Sequence, residues 1–324
     1  MKLEYQILAA VALDLVLGDP RWWPHPVRAI GRLAALLERL AREVVGSPKL
    51  AGLIVALLVY TAAGAAAWGV IRLAGLLSPI AADVAAIVVI YTTIAARDLA
   101  QHSTAVFRPL AAGDLVEARR RVVRIVGRDA DRLDESGVVR ATVESVAEST
   151  VDGVTAPLLF AVVAGPVGAM VYRAINTLDS MFGHQDERYA QFGWAAARID
   201  DWANYLPARL TAPLLCLAAL LLRQRAGQAV RILLRDRRKH RSPNAGLAEA
   251  AVAGALGVQL GGLNYYQGQP LQQPTLGDAL VPLAPRHIRT ANALMWTTTA
   301  LFLAGGLSLR LGAVHFWHVW SAAA

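Results

Sequence analysis

Charged residues are scarce in this chain. They account for 17% of its 324 residues, whereas hydrophobic residues account for 56%. A typical soluble domain has about 25% charged residues. Because so few charges are available to cover a water-facing surface, the composition argues against an ordinary soluble domain. It predicts instead that much of the surface faces lipid.

Cysteine is almost absent. Cys216 is the only one, so the chain has no disulfide framework and no cysteine-rich metal site. The sequence also lacks the P-loop of nucleotide-binding proteins and the H-E-x-x-H and G-x-S-x-G signatures. The net charge is +8, but no nucleic-acid recognition motif accompanies it, so we expect no nucleic-acid partner. Positively charged cytoplasmic loops explain the excess.

Long apolar runs are what the sequence has instead. Leu50–Leu77, Ile80–Ala96 and Ala291–Leu311 approach or exceed the ~20 residues that a bilayer-spanning helix needs. Two further runs, Val154–Ile175 and Leu206–Leu222, are interrupted by proline. They are either kinked structural helices or broken helices that line a cavity, as is tolerated at membrane depth.

These runs predict the fold class. We expect an all-α, polytopic integral membrane protein with roughly four to six membrane segments and helical cytoplasmic loops. The whole of 1–324 is predicted to form a single membrane-embedded domain, with 97–153 and 223–290 as its main polar, cytoplasmic segments. Gly261–Pro274, rich in Gly, Asn, Gln and Tyr, is predicted to be a loop.

Three carboxylates stand close together in the sequence ESVAESTVDG. Glu144 and Glu148 are four residues apart and share one helix face, where like charges repel. Asp152 follows one turn later. Oxygen-only ligands suit Mg²⁺, which commonly uses one or two carboxylates together with substrate phosphates. The alternative is a solvated acidic helix face.

A rigid polar segment follows the first apolar run. Gly18-Asp19-Pro20 and Pro24-His25-Pro26 force a non-helical path. Such a path would hold Asp19, His25 and Arg28 in fixed positions, and His25 is suited to act as acid, base or metal ligand. The alternative is a loop with a structural histidine.

Polar clusters also border the two interrupted runs. Adjacent carboxylates point to different faces of a helix, so only one of Asp200 and Asp201 need serve a site. Ordinary helix capping and ion pairing are the alternative. The candidates in these clusters are Asn176, Asp179, Asp201, Asn204 and Arg209.

A basic patch precedes the alanine-rich segment Ala248–Leu260. Arg235 and its neighbours suit phosphate, because arginine donors match phosphate geometry. His240 is a further acid–base candidate. Ser242 and Asn244 form a turn at a predicted helix start, where backbone amides favour anions. The alternative is a positively charged collar that contacts lipid.

Seven motifs resemble the CobD/CbiB family of cobalamin biosynthesis, in the same order along the chain. They are GDPRWWPHPVRAIG, GRD, ESTVDG, NTLDSMFG, DDWANYLPARL, RDRRKHRSPNAG and EAAVAGALGVQLGG. The resemblance covers nearly the whole chain. It implies an ATP- and Mg²⁺-dependent enzyme that joins the free propionate of adenosylcobyric acid to aminopropanol or its O-phosphate, giving adenosylcobinamide or its phosphate.

The same resemblance implies a location and partners. Family members belong to the bacterial inner membrane, so we expect a multi-pass protein in the lipid bilayer with its active site facing the cytoplasm, near other membrane enzymes of the cobalamin pathway. Two rival functions stay open at this point. One is a non-catalytic membrane signalling protein of the AmpE type, and the other is a transporter for corrinoids or another anion.

Transferred motif by motif, the resemblance assigns roles to individual residues. The expected catalytic residues are His25, Asp19, Asp201, His240 and Asp179. The expected ligands of nucleotide and substrate are Arg28, Arg128, Asn176, Asn204, Arg209, Arg235, Ser242 and Asn244. The expected metal ligands are Glu144, Glu148 and Asp152.

Overall fold

Helices dominate the fold. The computed structural model describes residues 1–20, 22, 24–184, 186–266 and 268–323, with side chains described as far as residue 312. A π-helical turn covers Val151–Thr155. The helices are α1 Leu3–Leu17, α2 Pro26–Val44, α3 Pro48–Leu77, α4 Pro79–Tyr91, α5 Ala96–Ala111, α6 Leu115–Val122, α7 Glu135–Thr150, α8 Ala156–Phe182, α9 Trp194–Ala203, α10 Tyr205–Leu221, α11 Ala226–Asp236, α12 Ala245–Leu256 and α13 Arg286–Ala323.

Several helical segments are long and apolar enough to cross a membrane. Within the described residues there are four of them, Pro48–Leu77, Pro79–Ala111, Glu135–Phe182 and Arg286–Gly312. A fifth is formed if α9 and α10, which meet at a bend of 47°, together make one broken span. The predicted fold class, an all-α polytopic membrane protein, is confirmed.

Local sequence explains where the membrane helices begin and bend. Ser78 ends α3 and caps α4, because its hydroxyl accepts the backbone N–H of Ala81 at 3.0 Å. Pro79, which lacks an N–H group, occupies the first helical position. In α8, Gly165 has a φ of 66°, and Pro166 follows it. The helix is therefore kinked where the sequence predicted an interruption.

The chain forms two compact units that interleave along the sequence. The first unit consists of Met1–Ala95, Ala156–Asn204 and Gly305–Ala324. The second consists of Ala96–Thr155 and Tyr205–Ala304. This division describes packing within the chain, and the single functional domain expected over 1–324 stays a prediction.

The first unit is held together by small residues on α3. Ala51, Ala56 and Ala63 are buried where α3 packs against α2, α8 and α9. A Cβ atom on Gly52 would lie 1.8 Å from the carbonyl oxygen of Phe192. The absence of a side chain at this position therefore permits the close approach of the 189–193 segment.

The second unit is built around α12. All twelve residues of this helix are buried, and it packs against α7, α10 and α11. A Cβ atom on Gly254 would lie 2.5 Å from the carbonyl oxygen of Gln228, so glycine permits the contact with α11. The alanine-rich segment is thus a buried helix that ends at Leu256.

A β-hairpin follows α12, and the prediction of a loop over Gly261–Pro274 is wrong. Strands β1, Leu260–Tyr266, and β2, Gln269–Leu276, pair antiparallel. Glycine, proline and asparagine are poor strand formers, so the strand signal of this segment is weak. Tertiary contacts override that signal, because Leu260, Asn264 and Leu276 are buried in the second unit.

Candidate active site

Helix α7 places two carboxylates on one face, as the spacing of Glu144 and Glu148 predicts. Glu144 is buried, and both of its carboxylate oxygens are engaged. Its Oε2 accepts from Nη2 of Arg128 at 2.6 Å, and its Oε1 accepts the backbone N–H of Gly261 at 2.7 Å. Glu144 therefore ties α7 to the 128 segment and to β1.

Two arginines extend this network to Asn264 of β1. Arg128 donates to Asn264 Oδ1 at 2.7 Å, and Arg140 donates to the same atom at 2.9 Å. Arg140 also donates to the carbonyl oxygens of Gly261 and Leu263, the latter at 2.8 Å. The hairpin is consequently fixed to α7 through charged donors, which form stronger hydrogen bonds than neutral ones.

Glycine at position 261 is needed for this anchor. Its φ is +79°, and a Cβ atom there would lie 2.2 Å from the carbonyl oxygen of Pro274. Gly268 has almost the same φ, +78°, but nothing lies within 4 Å of a Cβ atom at that position. The two glycines thus differ in crowding and share the same left-handed backbone.

This difference predicts unequal effects of alanine. We expect Gly261→Ala to lower stability by about 3 kcal/mol or more, because a left-handed backbone costs about 1–3 kcal/mol and the clash adds to it. Gly268→Ala is expected to lower stability only by the cost of the left-handed backbone, about 1–3 kcal/mol. Apparent melting temperatures in detergent would measure both variants. Equal losses would contradict the close contact between Gly261 and Pro274.

A second group of side chains lies close to Glu144. Glu148, on the same helix, has an accessible side chain, and Glu249, on α12, is buried. Burial, followed by the charges of Glu144 and Glu148, raises the pKa of Glu249 well above its ordinary value. A buried carboxyl among other carboxylates holds its proton more tightly, since its charged form is poorly solvated and repelled.

His240 faces this group. Its Nε2 lies 3.9 Å from Oε1 of Glu249, and its Nδ1 accepts the backbone N–H of Ser242 at 3.0 Å. Gly246 leaves room for the histidine, since a Cβ atom there would lie 2.5 Å from Cβ of His240. Burial is the main cause that lowers the pKa of His240. The imidazole is therefore biased towards its neutral form, which can accept a proton.

The three predicted metal ligands do not form a single cluster. In the part of the chain that the structure describes, no group of three or more His, Cys, Asp or Glu side chains is arranged to hold a metal ion. Glu144 is committed to Arg128 and Gly261, and Asp152 lies in the π-helical turn after α7. Glu148 is the accessible carboxylate of the set, and the metal assignment stays a prediction.

Three predicted anion ligands meet at the start of α12. Nη1 of Arg209 donates to Asn244 Oδ1 at 3.2 Å, and the guanidinium lies 3.3 Å from the centre of the Tyr205 ring. Oγ of Ser242 accepts the N–H groups of Asn244 at 3.2 Å and Ala245 at 3.3 Å. The predicted turn before the helix is therefore present, with an arginine beside it.

Arg235 takes a different place. Its Nε and Nη2 donate to Asp236 at 2.7 and 2.8 Å, and Nη1 lies 2.9 Å from Asp278. Asp236 is fully buried and also accepts from Lys239 at 2.7 Å and from the N–H of Gly277 at 2.9 Å. These contacts join the end of α11 to the residue after β2, and the role of Arg235 in phosphate binding stays a prediction.

The contacts of Asp236 predict a pH-dependent loss of stability. Its hydrogen bonds, above all those from Arg235, lower the pKa of the carboxyl below the ordinary value of about 3.9. Its contribution is therefore complete above about pH 4 and is lost as the pH falls further towards the folded-state pKa. We expect Asp236→Asn to cost about 1–3 kcal/mol at pH 7, because charged hydrogen bonds are lost. Thermal unfolding at pH 7 and pH 3 should show the variant and the wild type converging at the lower pH, and a constant difference would contradict this role.

In the first unit, residues 18–20 and 24–25 lie outside helices, as predicted. Helix α1 ends at Leu17, and α2 begins at Pro26 with His25 as its cap, whose Nδ1 accepts the N–H of Val27 at 3.3 Å. Nε2 of His25 lies 3.9 Å from Asp19. Arg28 follows in the first turn of α2 and is exposed. The catalytic and binding roles assigned to these residues stay predictions.

A second polar network in the first unit joins α8 and α9. The hydroxyl of Tyr172 donates to Asn204 Oδ1 at 2.8 Å, and Nδ2 of Asn204 donates to Asp200 at 2.9 Å. Asn176 and Asp179 both lie close enough to Asp200 to interact with its carboxylate. The structure thus brings Asn176, Asp179 and Asn204 together.

Sequence reasoning missed two members of this network. The carboxylate in it is Asp200, whereas Asp201 is half-buried and lies 3.6 Å from Arg198. The spacing of four between Asp200 and Asn204 was the available signal. Tyr60, buried on α3, interacts with both Asp179 and Asp200, and no sequence motif marks it. The catalytic role assigned to Asp201 stays a prediction.

Fold and site together define a multi-pass helical membrane protein that buries carboxylates beside arginines and a histidine. Residues 7–295 match the family model described as "CobD/Cbib protein". The chain belongs to the CobD/CbiB family, as its motifs predicted. No solved structure gives a significant match.

Curated relatives cover almost the whole chain. "Cobalamin biosynthesis protein CobD" of Geobacter metallireducens is 50% identical over 297 residues, which is 92% of this chain and 93% of the relative. A protein of the same name from Klebsiella pneumoniae is 46% identical, covering 96% of this chain and 97% of the relative. "Cobalamin biosynthesis protein CbiB" of Salmonella typhimurium is 44% identical, covering 94% and 96%.

Proposed function

We propose that this protein acts in cobalamin biosynthesis as an ATP-dependent amide ligase. It joins the free propionate of adenosylcobyric acid to aminopropanol or its O-phosphate. Family membership and the names of the curated relatives support the pathway. The observation that carries the chemistry is the group formed by Glu148, Glu249 and His240 beside the Arg128–Glu144 pair.

Amide formation requires activation of the acid. A carboxylate is a poor acyl donor until one of its oxygens becomes a leaving group, which transfer of a phosphoryl group from ATP achieves. Mg²⁺, when bound, neutralises phosphate charge during such a transfer. The donor set fits this ion, since Mg²⁺ needs only one or two carboxylates alongside phosphate oxygens. Of the predicted ligands, Glu148 has the accessible carboxylate to bind it.

The amine must lose a proton before it attacks. His240 is the best-placed base in the second unit, because burial biases it towards the neutral form and its Nε2 faces Glu249. Glu249, with its raised pKa, is suited to exchange a proton with the histidine. This pair accepts the proton that the ammonium group must lose before the neutral amine attacks.

A phosphate group has a separate binding place. Arg209, Ser242 and Asn244 meet at the N-terminus of α12, where backbone N–H groups and the helix dipole favour anions. We assign the phosphate of aminopropanol phosphate to this place. We further propose that the protein lies in the bacterial inner membrane with this site facing the cytoplasm, which agrees with the basic residues between α10 and α12.

The test is a reconstituted reaction. Protein purified in detergent is incubated with adenosylcobyric acid, Mg²⁺ and ATP, and with either aminopropanol or its phosphate. The expected result is a corrinoid whose mass has increased by that of the amine less one water, formed only when ATP is present. If folded protein yields no such product with either amine, the proposed reaction is wrong.

A further inference from the structure

The second unit contains a cleft that none of the predicted site residues lines. Its volume is about 640 Å³, within the range typical of small-molecule sites. One wall comes from residues 132–134, 136, 137 and 140, and the others come from β1 and the loop 279–283. Leu263, Val281 and Leu283 supply apolar surface, and Tyr265 supplies an aromatic ring. Such a combination suits a flat heterocycle.

Arg132 contributes a positively charged side chain to the wall of this cleft. The side chain is exposed, and its guanidinium lies 5.1 Å from the centre of the Tyr265 ring. Among the described residues it forms no ion pair. The acidic residue on the wall, Asp134, accepts the N–H of Gly137 at 2.7 Å and the hydroxyl of Ser136 at 3.0 Å as the cap of α7. The carboxylate of Asp134 thus already accepts hydrogen bonds at the start of α7.

One side chain connects the cleft to the candidate active site. Arg140 lines the cleft, and its Nε lies 3.9 Å from Oε1 of Glu144. The Nε atom is buried and has no hydrogen-bond partner within the described chain. Arg140 would therefore lie between a ligand in the cleft and the carboxylate of Glu144.

We propose that this cleft binds the adenine nucleotide, with the base against Tyr265 and the phosphates drawn to Arg132. The identity of the nucleotide as a co-substrate rests on the proposed function. Size and chemistry favour this occupant over the other two substrates. A corrinoid is far too large for the cleft, and aminopropanol phosphate has no flat group for the aromatic and apolar walls.

Equilibrium binding of a non-hydrolysable ATP analogue with Mg²⁺ tests the assignment on the full chain in detergent. We expect Arg132→Ala to weaken binding about tenfold, because one charged contact to phosphate is lost. Tyr265→Ala should weaken it by roughly five- to a hundredfold through lost stacking, and Tyr265→Phe should bind like the wild type. The matched control is Arg120→Ala, an exposed arginine on α6 that pairs with Glu117 at 3.7 Å.

The outcomes separate this inference from the proposed reaction. Nucleotide binding that is unchanged in both Arg132→Ala and Tyr265→Ala overturns the cleft assignment, whether or not product forms. A wild-type protein that binds no nucleotide also overturns it. Binding that falls in these variants and not in Arg120→Ala supports it, even if amide formation fails. Unchanged melting temperatures without nucleotide confirm that the variants are folded, and if Tyr265→Ala is unfolded, the exposed Arg132→Ala decides the outcome.

Discussion

Replacement of Glu148 by glutamine is expected to reduce amide formation by about a hundredfold or more while the protein stays folded. The magnitude is that of losing one electrostatic group that acts on a developing charge. Stability should not fall, because the Glu148 side chain is accessible and its charge is repelled by that of the neighbouring Glu144. The measurement is the rate of corrinoid product formation at saturating ATP, with Mg²⁺ varied.

The control for this variant is Glu135→Gln. Glu135 lies in the first turn of the same helix, α7, and is exposed. The same loss of one negative charge there should leave the rate unchanged. If Glu148→Gln retains wild-type activity at every Mg²⁺ concentration, Glu148 does not bind the metal.

Replacement of Arg128 by methionine should cost about 3–5 kcal/mol, because it leaves a buried carboxylate without its main partner. The side chains of Arg128 and Glu144 are only 9% and 5% exposed, and their nitrogen and oxygen lie 2.6 Å apart. Arg140 is too far, at 3.9 Å, to compensate fully. The expected observation is a large fall in the apparent melting temperature in detergent.

A double variant separates the charge effect from lost packing. In Arg128→Met combined with Glu144→Gln, the carboxylate that pairs directly with Arg128 is also removed, so much of the stability should return. The coupling in this cycle measures the interaction directly. If the double variant is as unstable as the sum of the single variants, the two side chains act independently and the pair is not the cause.

Sequence patterns were sufficient for the membrane helices. A membrane-spanning helix is recognised by its length and apolar composition, and both can be read from the sequence without knowledge of distant residues. The proline after Ser78 and the pair Gly165-Pro166 act within one or two turns, and the structure has a helix start and a kink at those places. The hairpin after α12 was missed because its burial depends on the rest of the second unit.

The candidate site could be predicted only in part for the same reason. The shared face of Glu144 and Glu148 follows from their spacing of four. The anchoring role of Glu144 does not, because its partner Gly261 is 117 residues away. Likewise, Asp200 and not Asp201 belongs to the polar network because of the face of α9 that packs inward. Two adjacent aspartates in the sequence do not show which face that is.

The pairing of the first helix with the last has a consequence for biogenesis. Arg310 of α13 donates to Glu4 of α1 at 2.9 Å, across a separation of 306 residues, and Nη1 of Arg310 also donates to the carbonyl of Val162 at 2.9 Å. During synthesis Glu4 emerges from the ribosome long before this arginine does. The first unit therefore completes this charge pair only after Arg310 has been synthesised, and until then Glu4 lacks its final partner.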